Sequence, residues 1–260
     1  MRASTAALAN ALSPLLEPLR GDVDSVAATY SLVDRPASAH RFQLYDHETR
    51  IGMVPSFQWV AAGLFWYLNR TVAARPTDLL LLHAAAAERE GRVVICAGRA
   101  GSGKSTLVAG LVRGGFGYLT DEITALTSSL SVAPYPKPVS LEPQSLPLLP
   151  GLRPPPIPGP VDPLAPWQVP PDSLRPGAVA AGGTLAVVVL PDVEPGARLT
   201  ATRLSAADAL VALMHSSFHR GAAAGPALPR LRRIADSVPC VRLRYGDLDD
   251  VHDWLLTTME

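Results

Sequence analysis

The segment Gly98-Arg99-Ala100-Gly101-Ser102-Gly103-Lys104-Ser105 constrains this chain more than any other stretch. Its glycines break regular structure, and the residues on either side fix what is being interrupted. Arg92-Val93-Val94-Ile95-Cys96-Ala97 before it reads as a buried strand, and Ser105-Thr106-Leu107-Val108-Ala109-Gly110-Leu111-Val112 after it as a helix. A strand, a tight glycine turn and a helix N-terminus in sequence imply an α/β fold. The turn fits GxxxxGK[ST] at every position. Glycine lets successive backbone N–H groups point inward at anionic oxygens, and the helix terminus adds partial positive charge. Lys104 is spaced to reach outer phosphates, and the Ser105 hydroxyl to ligate an accompanying Mg2+. The expected ligand is a nucleoside triphosphate, held by Gly98, Arg99, Ala100, Gly101, Ser102, Gly103, Lys104, Ser105 and Thr106.

A phosphate loop alone does not separate hydrolysis from phosphoryl transfer, so the acids that follow matter. Phe116-Gly117-Tyr118-Leu119-Thr120 reads as a short strand ending at Asp121-Glu122. Carboxylates there lie across the sheet edge from Lys104 and Ser105. One can hold Mg2+, and one can accept the proton of an attacking hydroxyl. Their order is open at this level. His83 follows a leucine run and gains interest only from position. Asp78–Ala85 and Arg92–Ala97, joined by the polar Glu88–Arg92 turn, predict a hairpin that brings His83 beside the strand delivering Gly98. Whether 78–85 is a strand or a buried helix start is not decided by periodicity. Arg230, Arg232, Arg233, Arg242 and Arg244 crowd the C-terminal region, as solvated faces or as a clamp on phosphate.

Composition narrows the classes. Twenty-three basic and 23 acidic side chains balance, so no global field recruits nucleic acid or anionic membrane. The apolar run Leu185–Leu190 falls far short of the roughly 20 residues a bilayer span requires. The N-terminal segment, broken by Pro14, Glu17 and Pro18, reads as a helix rather than a signal peptide. Cys96 and Cys240 carry no metal-ligand spacing and read as reduced thiols, so the expected compartment is the cytoplasm. A homo-oligomer is compatible with the sequence.

Residues 22–54 read as short strands. Pro55 opens a helix whose apolar residues Phe57, Val60, Ala61, Leu64, Phe65 and Leu68 recur at three-and-four spacing. Ile123–Leu126 and Leu130–Ala133 read as a second hairpin. Between 134 and 176 lie 16 of the 26 prolines, which argues against regular ladders and for an extended surface loop or a semi-rigid flap anchored by Trp167. Beyond it, Thr184–Leu190, Leu199–Leu204 and Val241–Tyr245 read as strands. Helices are expected after the Ser205 cap, from Pro226, and after Asp247. The expected organisation is an N-terminal strand/helix segment, 1–77, packing on a domain 78–260 that carries the proline-rich insertion 134–176.

Leu82-His83-Ala84, the glycine loop through Leu107, and Gly115-Phe116-Gly117-Tyr118-Leu119-Thr120-Asp121-Glu122 together resemble the HPr kinase/phosphorylase family and its shorter relatives, including kinase-like proteins beside ribosomally made peptide and lasso-peptide pathways. Pro134-Tyr135-Pro136-Lys137-Pro138 and Val238–Tyr245 are similar to those relatives as well. The resemblance implies a fold like phosphoenolpyruvate carboxykinase, with the phosphate loop in a mixed sheet, and ATP- and Mg2+-dependent phosphorylation of a hydroxyl. Carried across, His83 matches the family histidine near the phosphates, Lys104 and Ser105 the loop pair, and Asp121 the first of two acids. The second acid is Glu122 here, one methylene longer or roughly 1.5 Å. The later glycine- and arginine-containing signature of the bifunctional enzymes is absent from the sequence.

The leading expectation is a kinase acting on a hydroxyl, typically serine, of a peptide or small protein. Ser105, Asp121 and Glu122 are its metal candidates, and Asp121, Lys104, His83 and Glu122 its catalytic ones. The rivals are a nucleotide hydrolase and a non-catalytic nucleotide-binding partner in a biosynthetic complex.

Overall fold

A computed structural model describes residues 1–21, 26–219 and 224–260. It is a mixed α/β protein whose chain divides into two compact units, 1–75 with 137–173 and 76–136 with 174–260. Positions 22–25 of the expected strand region lie outside the described residues.

The first unit holds a four-stranded sheet in the order β1 (Arg2–Ala3), β2 (Tyr30–Asp34), β3 (Phe42–Asp46), β4 (Thr49–Val54). β1 runs parallel to β2, and the other pairs are antiparallel. Helix α1 (Ala6–Leu16) is capped by Thr5, whose hydroxyl accepts the Leu8 N–H. Helix α2 (Phe57–Ala73) starts two residues later than Pro55 suggests. Ser56 is its N-cap and accepts the Trp59 N–H. The α2 stripe Phe57, Val60, Ala61, Leu64 and Phe65 closes over Leu8, Leu12, Leu32, Phe42 and Leu44.

Residues 137–173, which the sequence attached to the second domain as an insertion, make their compact contacts with 1–75. Nor does proline abolish all pairing there. β10 (Val139–Leu141) and β11 (Trp167–Val169) form a short antiparallel ladder in a proline-free register. Gln58 fixes the excursion by a reciprocal pair, its amide donating to the Asp162 carbonyl and accepting the Asp162 N–H. Trp59 Nε1 donates to the Asp162 carboxylate at 2.9 Å.

The second unit is built on a mixed sheet. Strand β5 (Leu80–Arg89) resolves the ambiguity of the leucine run, and a two-residue turn at Glu90-Gly91, both at positive φ, returns the chain into β6 (Arg92–Ala97). That antiparallel hairpin pairs Ala84 with Ala97. Helix α3 (Lys104–Arg113) follows, then β7 (Gly117–Thr120), β8 (Ile123–Leu126) and β9 (Ser131–Ala133). The one-turn α4 (Pro171–Leu174) leads toward β12 (Gly183–Val193), β13 (Thr200–Arg203), α5 (Ala206–Ser216), α6 (Ala224–Ser237), β14 (Cys240–Tyr245) and α7 (Leu248–Thr258). The main strand order is β13-β14-β12-β6-β5-β8-β9, with β7 beside β5. β12 runs parallel to both β6 and β14.

β9 also pairs with the start of β12, so five strands return on themselves. A glycine is needed at that closure, because a Cβ on Gly183 would sit 2.5 Å from the Gly91 carbonyl oxygen. β5 is buried on both faces, as its continuous apolar run requires. Leu80, Leu82, Ala84 and Ala86 pack with Ala209 and Leu213 of α5 and with Leu231 and Ile234 of α6. The alternate face, which includes His83, is on the side of α3, since successive strand side chains point to opposite faces. Among the described residues no helix is long and apolar enough to cross a membrane.

Candidate phosphate-loop site

The Gly98–Gly103 loop leaves the carboxyl end of β6 and ends at the first turn of α3. Gly98, Gly101 and Gly103 all adopt positive φ, at 147°, 79° and 89°. Gly103 is doubly constrained, since a Cβ there would meet Val193 Cγ2 at 2.8 Å besides straining the backbone. Its carbonyl accepts the Leu107 N–H and so starts the helix ladder. Arg99, Ala100 and Gly101 are exposed at the loop tip, while Lys104 is only 6% exposed. The Lys104 ammonium donates to the Gly98 carbonyl at 2.9 Å and the Arg99 carbonyl at 2.8 Å. It therefore lies against the loop it follows. Burial pushes the Lys104 pKa down, opposed first by the charge of Glu122 and less by Cys96 and Asp121. Ser102 Oγ is buried without a hydrogen-bond partner, a donor turned into the loop. Ser105 and Thr106 stand half-buried in the first turn of α3.

Asp121 and Glu122 form the bend between β7 and β8, which both run antiparallel to β5. The buried Thr120 hydroxyl accepts the N–H groups of Glu122 and Ile123, which bends the chain sharply there. The Ala84 N–H donates to the Glu122 carbonyl at 3.1 Å, tying the turn to β5. One residue away, His83 Nε2 lies 3.1 Å from Glu122 Oε1. An ionised carboxylate only accepts, so the imidazole N–H is the donor. The two acids are not equivalent: Asp121 is 2% exposed, whereas the Glu122 side chain is 33% exposed. Tyr118, fully buried on β7, donates its hydroxyl to Asp121 Oδ1 at 3.4 Å. Burial, and then Asp121, hold the Tyr118 phenol well above its usual pKa. Tyr135 is raised by burial and then by the charges of Glu122 and Asp121, so its ring also stands near the acids.

The structure thus gathers His83, Lys104, Asp121 and Glu122 beside the glycine loop in one unit. The tyrosines at 118 and 135 were not read as site residues from sequence. Tyr118 lies three residues before Asp121, a spacing that puts the two on opposite faces of a regular strand; here the ladder with β5 shifts register between Ala86 and Ala87, opposite Tyr118 and Thr120.

Four of the five C-terminal arginines have partners elsewhere. Arg230 donates to the carbonyls of Asp78 and Leu126, and Arg233 to that of Ser128. Arg232 pairs with Asp236 and Arg244 with Glu194. Arg230 and Arg233 tie down a strand end and a turn, while Arg232 pairs along its own helix. Among the described residues no three His, Cys, Asp or Glu side chains converge to hold a metal ion.

No family model matches the chain, and no curated protein matches it. Among solved structures it is similar to the Hpr(Ser) kinase/phosphatase from Coxiella burnetii, with 12% identity over 69% of this chain and 99% of that one and a TM-score of 0.35.

Proposed function

We propose that this protein binds ATP at the Gly98–Thr106 loop and transfers the γ-phosphoryl group to a hydroxyl, typically serine, of a peptide or small protein. The observation that carries the reading is the buried Lys104 ammonium, folded onto the Gly98 and Arg99 carbonyls at the head of α3 within the field of Glu122 and Asp121. A buried ammonium is costly unless compensated. Two carbonyls compensate it only partly, and a polyphosphate would supply stronger, charged acceptors.

The oxygen ligands at hand suit Mg2+, a hard cation that needs only one or two protein carboxylates beside phosphates and water. Ser105, Asp121 and Glu122 are the residues that would hold it, and its charge would offset the charge on the transferring phosphoryl group. The chain's own residues do the rest. Backbone N–H groups and Lys104 orient the phosphates, Ser102 offers a further donor, and a carboxylate opposite them receives the acceptor proton. Catalysis of this kind is positioning plus charge neutralisation.

Incubation with γ-labelled ATP, Mg2+ and candidate peptide acceptors tests the reading. Label on an acceptor, lost in Lys104→Ala, is the expected result. Free phosphate regardless of acceptor would indicate a hydrolase. ATP that binds and stays intact would indicate a binding partner.

A further inference from the structure

We infer that the nucleoside of the bound nucleotide occupies an open pocket at the carboxyl ends of β12 and β14, lined by Glu194, Ala197, Arg198, Thr200 and Arg244. This rests on the nucleotide reading above and deepens it, by adding a second recognition surface to the same site.

The direction comes from the sheet. β6 delivers the glycine loop and has β5 on one side and β12 on the other. His83 and the two acids belong to the β5 side, where the Ala84 N–H holds the Glu122 carbonyl. A polyphosphate whose outer end faces that side extends its inner end, and the sugar beyond it, toward β12. Because β12 runs parallel to both β6 and β14, all three carboxyl ends open on the edge that carries the loop. That is the edge at which open α/β sheets bind ligands. The glycine loop and the end of β12 are in contact. A Cβ on Gly103 would meet Val193 Cγ2 at 2.8 Å, and one on Gly98 would come within 4.0 Å of Pro191. The pocket begins at the next residue, Glu194.

Its wall is held by main-chain bonds. The Glu194 N–H donates to the Tyr245 carbonyl at 2.9 Å, and the Ala197 N–H closes the turn on the Glu194 carbonyl at 3.0 Å. Gly246 packs against that turn so closely that a Cβ there would lie 2.7 Å from the Gly196 nitrogen. The pocket holds about 260 Å³, near the lower end for small-molecule sites, which suits a base with its sugar. The lining supplies matching chemistry. Arg244 pairs with Glu194 and fixes that carboxylate in the wall, where its remaining lone pairs can accept sugar hydroxyls. Arg198 has no ion pair or hydrogen bond among the described residues. Its planar guanidinium is the group that stacks on a heteroaromatic ring.

Tripolyphosphate carries the anionic chain of ATP without the nucleoside, and so separates the pocket from the loop. Titration calorimetry with Mg·ATP and with Mg·tripolyphosphate would be compared across wild type, Thr200→Trp, Arg198→Ala and Lys104→Ala. Thr200 is exposed on the edge strand β13, so tryptophan there fills the pocket without entering the core. Thr200→Trp should weaken ATP binding by about 10- to 100-fold and Arg198→Ala by about 2- to 30-fold. Each should leave tripolyphosphate within about twofold of wild type, which also shows that the variant is folded. Lys104→Ala should weaken both ligands. If Thr200→Trp loses both ligands, Arg198→Ala decides alone. ATP affinity unchanged in Thr200→Trp, or an Arg198→Ala loss for ATP no larger than that for tripolyphosphate, overturns the placement. Lys104-dependent tripolyphosphate binding would in that case leave the glycine-loop site standing. Wild type that binds neither ligand overturns both.

Discussion

Replacing Lys104 by Met tests the site and its energetics together. The ammonium is almost wholly buried and makes two hydrogen bonds to carbonyls. Charge-assisted bonds contribute about 1.5–3 kcal/mol each, but removing a cation from water costs several kcal/mol. Its lowered pKa shows that the second effect wins. Lys104→Met should therefore leave ligand-free stability within about 1 kcal/mol of wild type, a melting shift of no more than about 2–4 °C. The sign with pH follows. The folded value lies below the ordinary 10.5, so in the window between them the unfolded chain binds more protons. Wild-type stability gains from this group as pH rises through that window, and Lys104→Met lacks the gain. Against Mg·ATP the direction reverses. Losing a cation that bonds phosphate at about 2–4 kcal/mol weakens binding by about 30- to 700-fold. Thermal melts over a pH series and titration calorimetry read both effects. Unchanged ATP affinity, or a ligand-free melting point lowered by more than that range, would refute the reasoning.

In the first unit, Arg41 makes a bidentate pair with Asp34 at 2.7 and 2.8 Å and holds its carboxyl below the usual 3.8. Asp34→Asn should cost about 1–3 kcal/mol in urea melts at neutral pH. The difference should be constant above the unfolded value and vanish as pH falls through the depressed folded one. Gly103→Ala places a methyl against Val193 at positive φ, so unfolding should become easier by about 1–3 kcal/mol, with nucleotide affinity falling as the loop shifts. Burial pushes the Cys96 thiol up to about 12 and the Cys240 thiol up to about 11. Neither should be alkylated in the native protein at mildly alkaline pH, and mass spectrometry should find both labelled after unfolding.

Local chemistry was legible wherever a residue's role depends on its neighbours in sequence. The loop's glycines, the caps at Ser205 and Asp247, and the α2 stripe each state their structure within a few positions. The hairpin of β5 and β6 was legible because Glu90-Gly91 suits a two-residue turn. What failed was long-range. Proline content correctly excluded extended ladders in 134–176 but carries no information on which unit a segment joins. That is decided by pairs such as Gln58 with Asp162, separated by 104 residues. The C-terminal arginines were left between a solvated face and a phosphate clamp for the same reason: a guanidinium looks alike in sequence whether it faces phosphate or, like Arg230, two backbone carbonyls.

The acid pair shows where such reading ends. In sequence, Asp121 and Glu122 are neighbouring acids whose order of roles is open. Strand alternation would send them to opposite faces, but the ladder with β5 is irregular here: its register shifts opposite Tyr118 and Thr120, and the Thr120 hydroxyl takes two consecutive N–H groups where the chain bends. The bend swings Asp121 back toward Tyr118 and delivers Glu122 to His83 across the β5–β8 pairing, where His83 stands opposite Ile123. The extra methylene then has a physical use. A carboxylate projecting from this bend must bridge to an imidazole on the neighbouring strand, and the longer side chain supplies that reach. Glu122→Asp should accordingly keep the charge and lose the His83 contact. Its rate should fall between wild type and Glu122→Gln, and His83→Ala should add little further loss on that background, because a contact already broken has nothing left to couple. Additive losses in that double-mutant cycle would contradict the account.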